Sequence, residues 1–247
     1  AATITVFTQV ADDAVADFDA NVIATNIAIS GGNGANEDAT AKFAADVAGV
    51  ITLTPNSGVA TVQFDGGGAQ SVTGNIVAGA DNKVVVSVTG TDTVVTSTED
   101  IGVAGAGLTS IDIATGSTLK MQPTQTGGVR TFDVVGDVDD GAGTPAKGGT
   151  LVLNGGDGAT SNDGIAISAA LVTGNTKLTT ITVTGGNAAT TGIGGAITSS
   201  TFNGTTDATT YNVLGGTGGT GGSTGGTGVP LTGVSSVQVF VRNVTDA

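Results

Sequence analysis

The sequence predicts an all-β fold, and its composition, its short apolar runs and its choice of acidic residue all indicate this. Of the 247 residues 43 are glycine, threonine is about as common, and the apolar residues are mostly alanine and valine. A core of such small and branched side chains suits short stacked strands better than packed helices. All but two of the 21 acidic residues are aspartate, which favours turns and caps over helix interiors.

Short runs rich in Val, Ile and Thr recur along the chain, each closed by Gly, Asn or Asp. Many of them alternate with a period of two, which is the pattern of a strand with one buried face. The opposite faces carry Thr, Ser and Ala rather than charges. The clearest sets predicted to share a strand face are Ala60, Val62 and Phe64; Val84, Val86 and Val88; and Val237, Val239 and Val241.

Two segments carry helix signals, so at most two short helices are expected. Residues 11–20 offer an aspartate cap, with Val15 and Phe18 facing inward. Residues 36–47 offer Asn36 as a cap, acidic residues in the first turn and apolar residues four apart.

Two all-β architectures fit these patterns: a β-solenoid with threonine ladders on its outside, and a jelly-roll-like β-sandwich. The scarcity of aromatic residues favours the solenoid, whereas the lack of an evident repeat period favours the sandwich; the solenoid is preferred. Gly-rich segments such as 65–68 and 154–158 are either hairpin turns or solenoid corners. One domain over residues 1–247 is predicted, with two smaller β domains, 1–105 and 106–247, as the alternative.

The formal net charge of −14, with 7 basic residues, argues against several classes of function. Nucleic acids and anionic lipid surfaces both require a basic patch. The chain has no Cys and no His, which excludes disulfides, thiolate or imidazole metal sites and a His-based catalytic triad. No apolar run approaches the roughly 18 residues of a membrane-spanning helix, so no membrane insertion is expected. The chain is therefore not expected to be an enzyme.

Acidic turns are the candidate metal sites, because Ca²⁺ binds six to eight oxygens from Asp, Asn and backbone carbonyls. Neither cluster matches an EF-hand or a repeated Gly-Asp motif, and each also fits a solvated turn. Two sequons for N-glycosylation occur as well, at Asn203 and Asn243. The candidate Ca²⁺ ligands are Asp133, Asp137, Asp139 and Asp140 in one segment, and Asp157, Asn162 and Asp163 in another.

Residues 215–228 read GGTGGTGGSTGGTG, with no side chain larger than threonine. No Lys-Ser or Lys-Thr follows the run, as a phosphate-binding P-loop would require. The run is predicted to be a flexible loop or a tether for the terminal strand within 229–247, with an r.m.s. reach of about 20 Å.

Residues 59–82 (VATVQFDGGGAQSVTGNIVAGADN) and 171–192 (LVTGNTKLTTITVTGGNAATTG) resemble the passenger regions of large bacterial surface autotransporters, especially the rickettsial surface-array type. Those regions repeat short strands of Thr, Val and Ile. The composition is also similar to that of S-layer and β-rich filament subunits. The resemblance implies a surface-exposed β-solenoid that forms a coat or mediates adhesion.

These observations predict a structural, self-assembling extracellular subunit of a surface layer or filament. Donation of a terminal strand to the next subunit is one mechanism by which such a chain would polymerise. The alternative is an adhesin or autotransporter passenger fragment that binds a cell-surface partner. We expect secretion with a cleaved signal peptide, Ala1 being the mature N-terminus. The partner is expected to be a second copy of the chain. Whether a cell-surface glycan or lipid anchors the chain stays open.

Overall fold

The computed structural model describes residues 2–8, 12–34, 36–79, 83–90, 92–102, 107–123, 129–142, 148–155, 166–172, 176–188, 193–195, 197–214, 232–234 and 239–242. These residues form strands and no helix, so the all-β prediction is confirmed. In chain order the strands are β1 (Thr3–Phe7), β2 (Ala14–Phe18), β3 (Val22–Ser30), β4 (Ala39–Phe43), β5 (Val47–Thr54), β6 (Ala60–Phe64), β7 (Ala69–Thr73), β8 (Ile76–Ala78), β9 (Val84–Val88), β10 (Val94–Ser97), β11 (Ser110–Ile113), β12 (Thr118–Met121), β13 (Val129–Val134), β14 (Val138–Asp139), β15 (Gly148–Asn154), β16 (Ala166–Val172), β17 (Thr176–Thr184), β18 (Ile197–Leu214), β19 (Thr232–Val234) and β20 (Val239–Arg242).

All of the described strand pairs are parallel, and they form three columns along one axis. Column A contains β1, the second half of β3, the second half of β5, β8, β13, β16, the start of β18, and β19. Column B contains β2, β4, β6, β9, β11, β14, the start of β17 and the middle of β18. Column C contains the starts of β3 and β5, then β7, β10, β12, β15, most of β17, the end of β18, and β20. One strand from each column makes one turn, here called a rung.

The spacing between rungs establishes a β-solenoid. In the first part of the chain, the backbone N–H of Asp46 donates to Asn21 Oδ1, and that of Ser71 donates to Asp46 Oδ1, each pair being 25 residues apart. Further along, Asn212 Nδ2 donates to Thr182 Oγ1 over 30 residues. Each rung therefore contacts only its neighbours. The preferred solenoid prediction is confirmed, and the sandwich alternative is wrong.

Alternate residues of each strand point into a single core that runs along the axis. Two of the three predicted face-sharing sets are fully buried there; in the third, Val237 is not described and the side chains of Val239 and Val241 are not described. The buried sets are Ala60, Val62 and Phe64, and Val84, Val86 and Val88. Burial of each large aliphatic or aromatic side chain stabilises the folded state by about 1.5–3 kcal/mol.

A ladder of phenylalanine rings stands in column B. Phe18 and Phe43 stack with ring centroids 5.0 Å apart, and Phe43 and Phe64 are 6.0 Å apart and tilted. Successive strands lie roughly 4.8 Å apart, so residues in register meet as stacked neighbours. Three of the four phenylalanines in the first three rungs thus occupy one position of the repeat, whereas Phe7 lies in column A.

The corner between columns C and A requires glycine. Gly49 and Gly74 have φ angles of 143° and 144°, a region that residues with a Cβ avoid. A methyl group on Gly49 would overlap the carbonyl oxygen of Ala24, and one on Gly74 would overlap that of Gly49. The backbones of successive rungs therefore touch at this corner.

Asp and Asn side chains also join corners from rung to rung. The Asp38 N–H donates to Asp13 Oδ1 at 3.1 Å, and the Val59 N–H donates to Asp38 Oδ1 at 2.7 Å. The Asp100 N–H donates to Asn75 Oδ1 at 3.2 Å. These side chains supply acceptors to backbone donors where the strand ladder is interrupted, as capping residues do in helices.

The two predicted helix segments form strands, so those helix assignments are wrong. Residues 11–20 contain β2 and residues 36–47 contain β4, which pair in register from Ala14 with Ala39 to Phe18 with Phe43. Stacking of the phenylalanine rings outweighs the weak helix propensity of these Ala- and Asp-rich segments.

Residues 65–68 join β6 to β7, which lie in different columns and do not pair with each other. This segment is a solenoid corner rather than a hairpin turn. Parallel pairing also continues on both sides of residue 105, from β9 to β11 and from β10 to β12.

Candidate functional site

The predicted Ca²⁺ ligands separate into described and undescribed groups. Asp137, Asp139 and Asp140 lie around β14, whereas Asp133 is buried on β13, where Gly107 packs against its carboxylate. Within the residues that the structure describes, no group of three or more carboxylates has the arrangement of a metal site. The other candidates, Asp157, Asn162 and Asp163, lie outside the described residues, so Ca²⁺ binding stays a prediction.

The residue that stacking brings to this cluster is Asp112, which the sequence did not single out. It lies on β11 and is the register partner of Asp139 on β14. The Gly141 N–H donates to Asp139 Oδ1 at 2.8 Å. Gly141 also packs directly on the carboxylate of Asp112, so close that a Cβ there would touch it. Two carboxylates of adjacent rungs are therefore held together beneath one corner of the chain.

Burial and mutual repulsion change the acidity of this pair. Loss of solvent around Asp112, together with the charge of Asp139, raises the pKa of Asp112 to about 6 from its ordinary value of 3.8. Loss of solvent likewise raises the pKa of Asp139, which is 7% exposed, although its hydrogen bond from Gly141 acts in the opposite direction. Lys177 on β17 also favours the charged form of Asp139.

A second charged group joins two neighbouring rungs. Arg130 Nη1 on β13 donates to Glu99 Oε2 at 2.8 Å and lies 3.9 Å from Asp100 Oδ1. The Thr131 N–H donates to Asp100 Oδ1. These contacts connect rungs of 31-residue spacing, so the side chain of Arg130 has a structural role.

The predicted glycosylation sites fall at the end of the described chain. Asn203 belongs to β18, where the side chains are not described, and Asn243 lies outside the described residues. The Gly-rich run 215–228 also lies outside them, between β18 and β19.

The first rung is a surface that sequence reasoning did not find. Among the described strands, β1 pairs only with β3 and β2 only with β4, so each has one edge without a partner strand. The start of β3 in column C likewise pairs only with β5. Three parallel backbone edges therefore face the same way along the axis, and such edges are templates for further pairing.

Apolar side chains surround these edges, one for each column. On the outer surface of the first rung Phe7 is 48% exposed, Val15 is 59% exposed and Ile23 is 81% exposed. In the next rung the register partners of these residues are Ser30, Thr40 and Ala48. At these three positions the first rung is therefore more apolar than the second. We call Phe7, Val15 and Ile23 the apolar rim.

A shallow groove adjoins this rim at the corner between columns B and C. It is lined by residues of the first three rungs, among them Ile23, Asp46 and Thr73. Asp46 Oδ1 accepts the Ser71 N–H, so this carboxylate has a structural role in the rung ladder. The groove has no pair of catalytic side chains among its lining residues.

One signal in the sequence could have located the rungs. Residues 13–18 (DAVADF) and 38–43 (DATAKF) share a pattern, and so do 47–51 (VAGVI) and 72–76 (VTGNI), each pair at the 25-residue spacing. Aligning such segments identifies β2 and β4 as equivalent strands and places Val15 in the same column as Thr40.

Comparisons with protein-family models, with curated proteins and with solved structures found no match to this chain. The described part of the chain contains no helix with the length and apolar character needed to cross a bilayer.

Proposed function

We propose that this chain is a structural, self-assembling subunit of an extracellular surface layer or filament. The observation that carries the proposal is the stack of parallel strands, which continues from rung to rung in all three columns.

The body of the solenoid suits a structural role as well. Its outer strand faces are dominated by Thr, Ser and Ala, and charges such as those of Asp13 and Asp38 serve as acceptors at corners. Every described rung is joined to the next by parallel backbone hydrogen bonds, which gives a stiff rod. A coat or filament subunit requires such stiffness, whereas an enzyme requires a site with reactive groups.

Electron microscopy of the purified chain tests the proposal. At high protein concentration, negatively stained samples are expected to show filaments or sheets, with or without millimolar Ca²⁺. Monodisperse monomers under both conditions would contradict self-assembly and favour the adhesin alternative. The two Ca²⁺ conditions also test whether the predicted Ca²⁺ ligands contribute.

Terminal truncations address strand donation as the mechanism. Deleting residues 1–10 removes β1, and deleting 229–247 removes β19 and β20. Both shortened chains are expected to stay soluble and to polymerise poorly. Normal polymerisation of both would show that neither terminal strand is needed for assembly.

A further inference from the structure

We infer that Asn33 is a site of self-modification, at which the backbone nitrogen of Gly34 attacks the Asn33 side chain and the carboxylate of Glu37 accepts the proton from that nitrogen. The products are aspartate and isoaspartate at position 33. This modification concerns one corner of the solenoid and is independent of the proposed self-assembly.

The corner that contains Asn33 joins β3 in column A to β4 in column B. It spans residues 31–38 and is longer than the equivalent corner of the next rung, 55–59. The two corners are joined, because the carbonyl oxygen of Gly32 accepts the Ser57 N–H at 2.9 Å. Asn33 follows this anchor, is exposed and belongs to no strand.

The side chain of Glu37 is turned back onto the start of this corner. The Gly34 N–H donates to Glu37 Oε2 at 2.9 Å. A Cβ on Gly32 or on Gly34 would overlap the same carboxylate, so glycine at both positions gives it access to the backbone. A general base must lie about 2.6–3.2 Å from the atom whose proton it removes, and Glu37 meets this requirement.

The reaction at Asn33 needs only these groups and water. As Glu37 removes the proton of the Gly34 nitrogen, that nitrogen forms a bond to Asn33 Cγ. The bond between Cγ and Nδ2 then breaks, and Nδ2 leaves as ammonia after it takes up the proton that Glu37 accepted. Water opens the resulting succinimide ring at either carbonyl carbon, which gives aspartate or isoaspartate. No oxidant, reductant or metal takes part.

The residue after the asparagine determines how easily the ring closes. Gly34 has no Cβ to obstruct the approach of its nitrogen to Asn33 Cγ. Asn36 is also exposed in this corner, but it precedes Glu37, whose side chain begins at a Cβ. Exposure alone therefore does not distinguish the two asparagines, whereas the glycine and the positioned carboxylate do.

A second described Asn-Gly pair provides an internal comparison. Asn154 ends β15, in register with Thr184 of β17, and the Gly155 N–H donates to the carbonyl oxygen of Thr184 at 2.9 Å. The nitrogen that would attack at this pair is therefore engaged in the parallel ladder, and the strand holds the backbone extended. The same dipeptide is thus reactive at the corner and protected in the strand.

The modification changes the surface of the corner. Each product places a new carboxylate at position 33, next to the carboxylate of Glu37, and isoaspartate also adds one carbon to the backbone before Gly34. Because Asn33 lies outside the strands, the parallel ladder stays intact. Aged protein is therefore expected to be more acidic at this corner and still folded.

Peptide mapping by mass spectrometry during incubation at neutral pH tests the inference. Asn33 is expected to be deamidated at least about tenfold faster than Asn154 or Asn36, because it alone of the three combines a following glycine with a positioned base. Hydroxylamine, which cleaves succinimides, should cut the folded chain between Asn33 and Gly34. Equal rates at Asn33 and Asn154 would overturn the inference.

Substitution of the base separates its chemistry from its position. Glu37→Gln keeps an oxygen that accepts the Gly34 N–H but lacks a basic carboxylate, so deamidation at Asn33 is expected to slow about tenfold or more. Asp19→Asn removes an exposed carboxylate elsewhere and is the matched control, with no expected change in rate. A wild-type or faster rate in Glu37→Gln would overturn the role of Glu37.

The unfolded chain shows whether the fold causes the difference. In concentrated guanidinium chloride, Asn33 and Asn154 are expected to be deamidated at rates within about twofold of each other, since each is followed by glycine and neither is held by structure. A preference for Asn33 as large as in the folded chain would overturn the inference. Circular dichroism verifies that both variants retain their strands before incubation.

Discussion

Asp112 illustrates how stacking of rungs changes the chemistry of a single residue. On an isolated strand it would be an ordinary surface carboxylate. In the solenoid it faces Asp139 of the adjacent rung and lies beneath Gly141, and these neighbours raise its pKa to about 6. Its side chain also accepts a hydrogen bond from Ser110, which partly offsets the increase in pKa.

The raised pKa predicts that the solenoid loses stability as pH rises. The folded state binds the proton of Asp112 more tightly than the unfolded state, whose pKa is near 3.8. This contribution is therefore fully present below about pH 4 and is lost as pH rises to about 6. Asp112→Asn is expected to stabilise the protein at pH 7 by about 1–2 kcal/mol, after allowing for solvent screening.

Urea unfolding of Asp112→Asn and the wild type at pH 4 and pH 7 measures this effect. The gain in the free energy of unfolding should appear at pH 7 and be small at pH 4. Asp19→Asn removes an exposed carboxylate and serves as the control, with little expected change at either pH. A gain of the same size at both pH values would show that charge repulsion at Asp112 is not the cause.

Sequence reasoning identified the acidic segment containing Asp139 but not its partner. Asp112 lies 27 residues earlier in the chain, and only the register of β11 with β14 brings the two together. Periodicity within a strand predicts which residues share a face. It does not predict which residue of the neighbouring rung lies opposite, because that depends on the length of the intervening corners.

Corners, rather than strands, determine which elements become neighbours in this fold. The corner between columns C and A is tight at Gly49, whose φ of 143° and contact with the Ala24 carbonyl leave no room for a side chain. At Gly68, in the corner between columns B and C, an added methyl group would have no atom within 4 Å. The two glycines thus have different structural requirements.

Gly49→Ala is expected to destabilise the solenoid by about 2–4 kcal/mol, since it combines backbone strain with overlap against a neighbouring rung. Gly68→Ala is expected to change the free energy of unfolding by less than about 1 kcal/mol, because it meets no atom. Chemical unfolding of both variants provides the comparison. Similar losses at the two positions would show that close approach of the rungs at Gly49 is unimportant.

Most strands were predictable from alternation, and β2 and β4 show where that method fails. Each is only five residues long, and their inward positions are filled mainly by alanine, whose β propensity is low. In the sequence, the aspartates beside these two strands have the pattern of residues that cap a helix. In the structure Asp13 and Asp38 do act as acceptors, but for backbone donors of the next rung rather than for a helix end.

For the whole molecule, the stability of each rung depends on the rungs stacked on either side of it. The first rung and a central rung should therefore differ in their free energy of local opening. Strands β6 and β9 have partners on both sides and fully buried inward residues. Strands β1 and β2 have partners on one side only. Local opening of the first rung therefore costs less free energy than opening of a central rung.

Hydrogen exchange of the dilute, monomeric chain is expected to show this gradient. Amides of β6 and β9 should exchange at least tenfold more slowly than those of β1 and β2. Equal protection of β1 and β6 in the monomer would contradict an open first rung.

The scarcity of aromatic residues favoured a solenoid, but it did not by itself exclude a sandwich, and the rung period was not evident from the sequence. The spacing of 25 residues between Asn21 and Asp46 becomes 30 between Thr182 and Asn212. Insertions at corners change the period without changing the strands, so a search for one strict repeat fails. The inward pattern persists because packing constrains the strands and leaves corner length free.

The parallel ladders also determine how the molecule responds to force. Their hydrogen bonds lie along the axis, so tension on the two chain ends detaches one rung at a time and leaves the others intact. Each early rung of 25 residues would release roughly 80–90 Å of extended chain. A rod that is stiff under compression thus becomes, under tension, a long and stepwise extensible link.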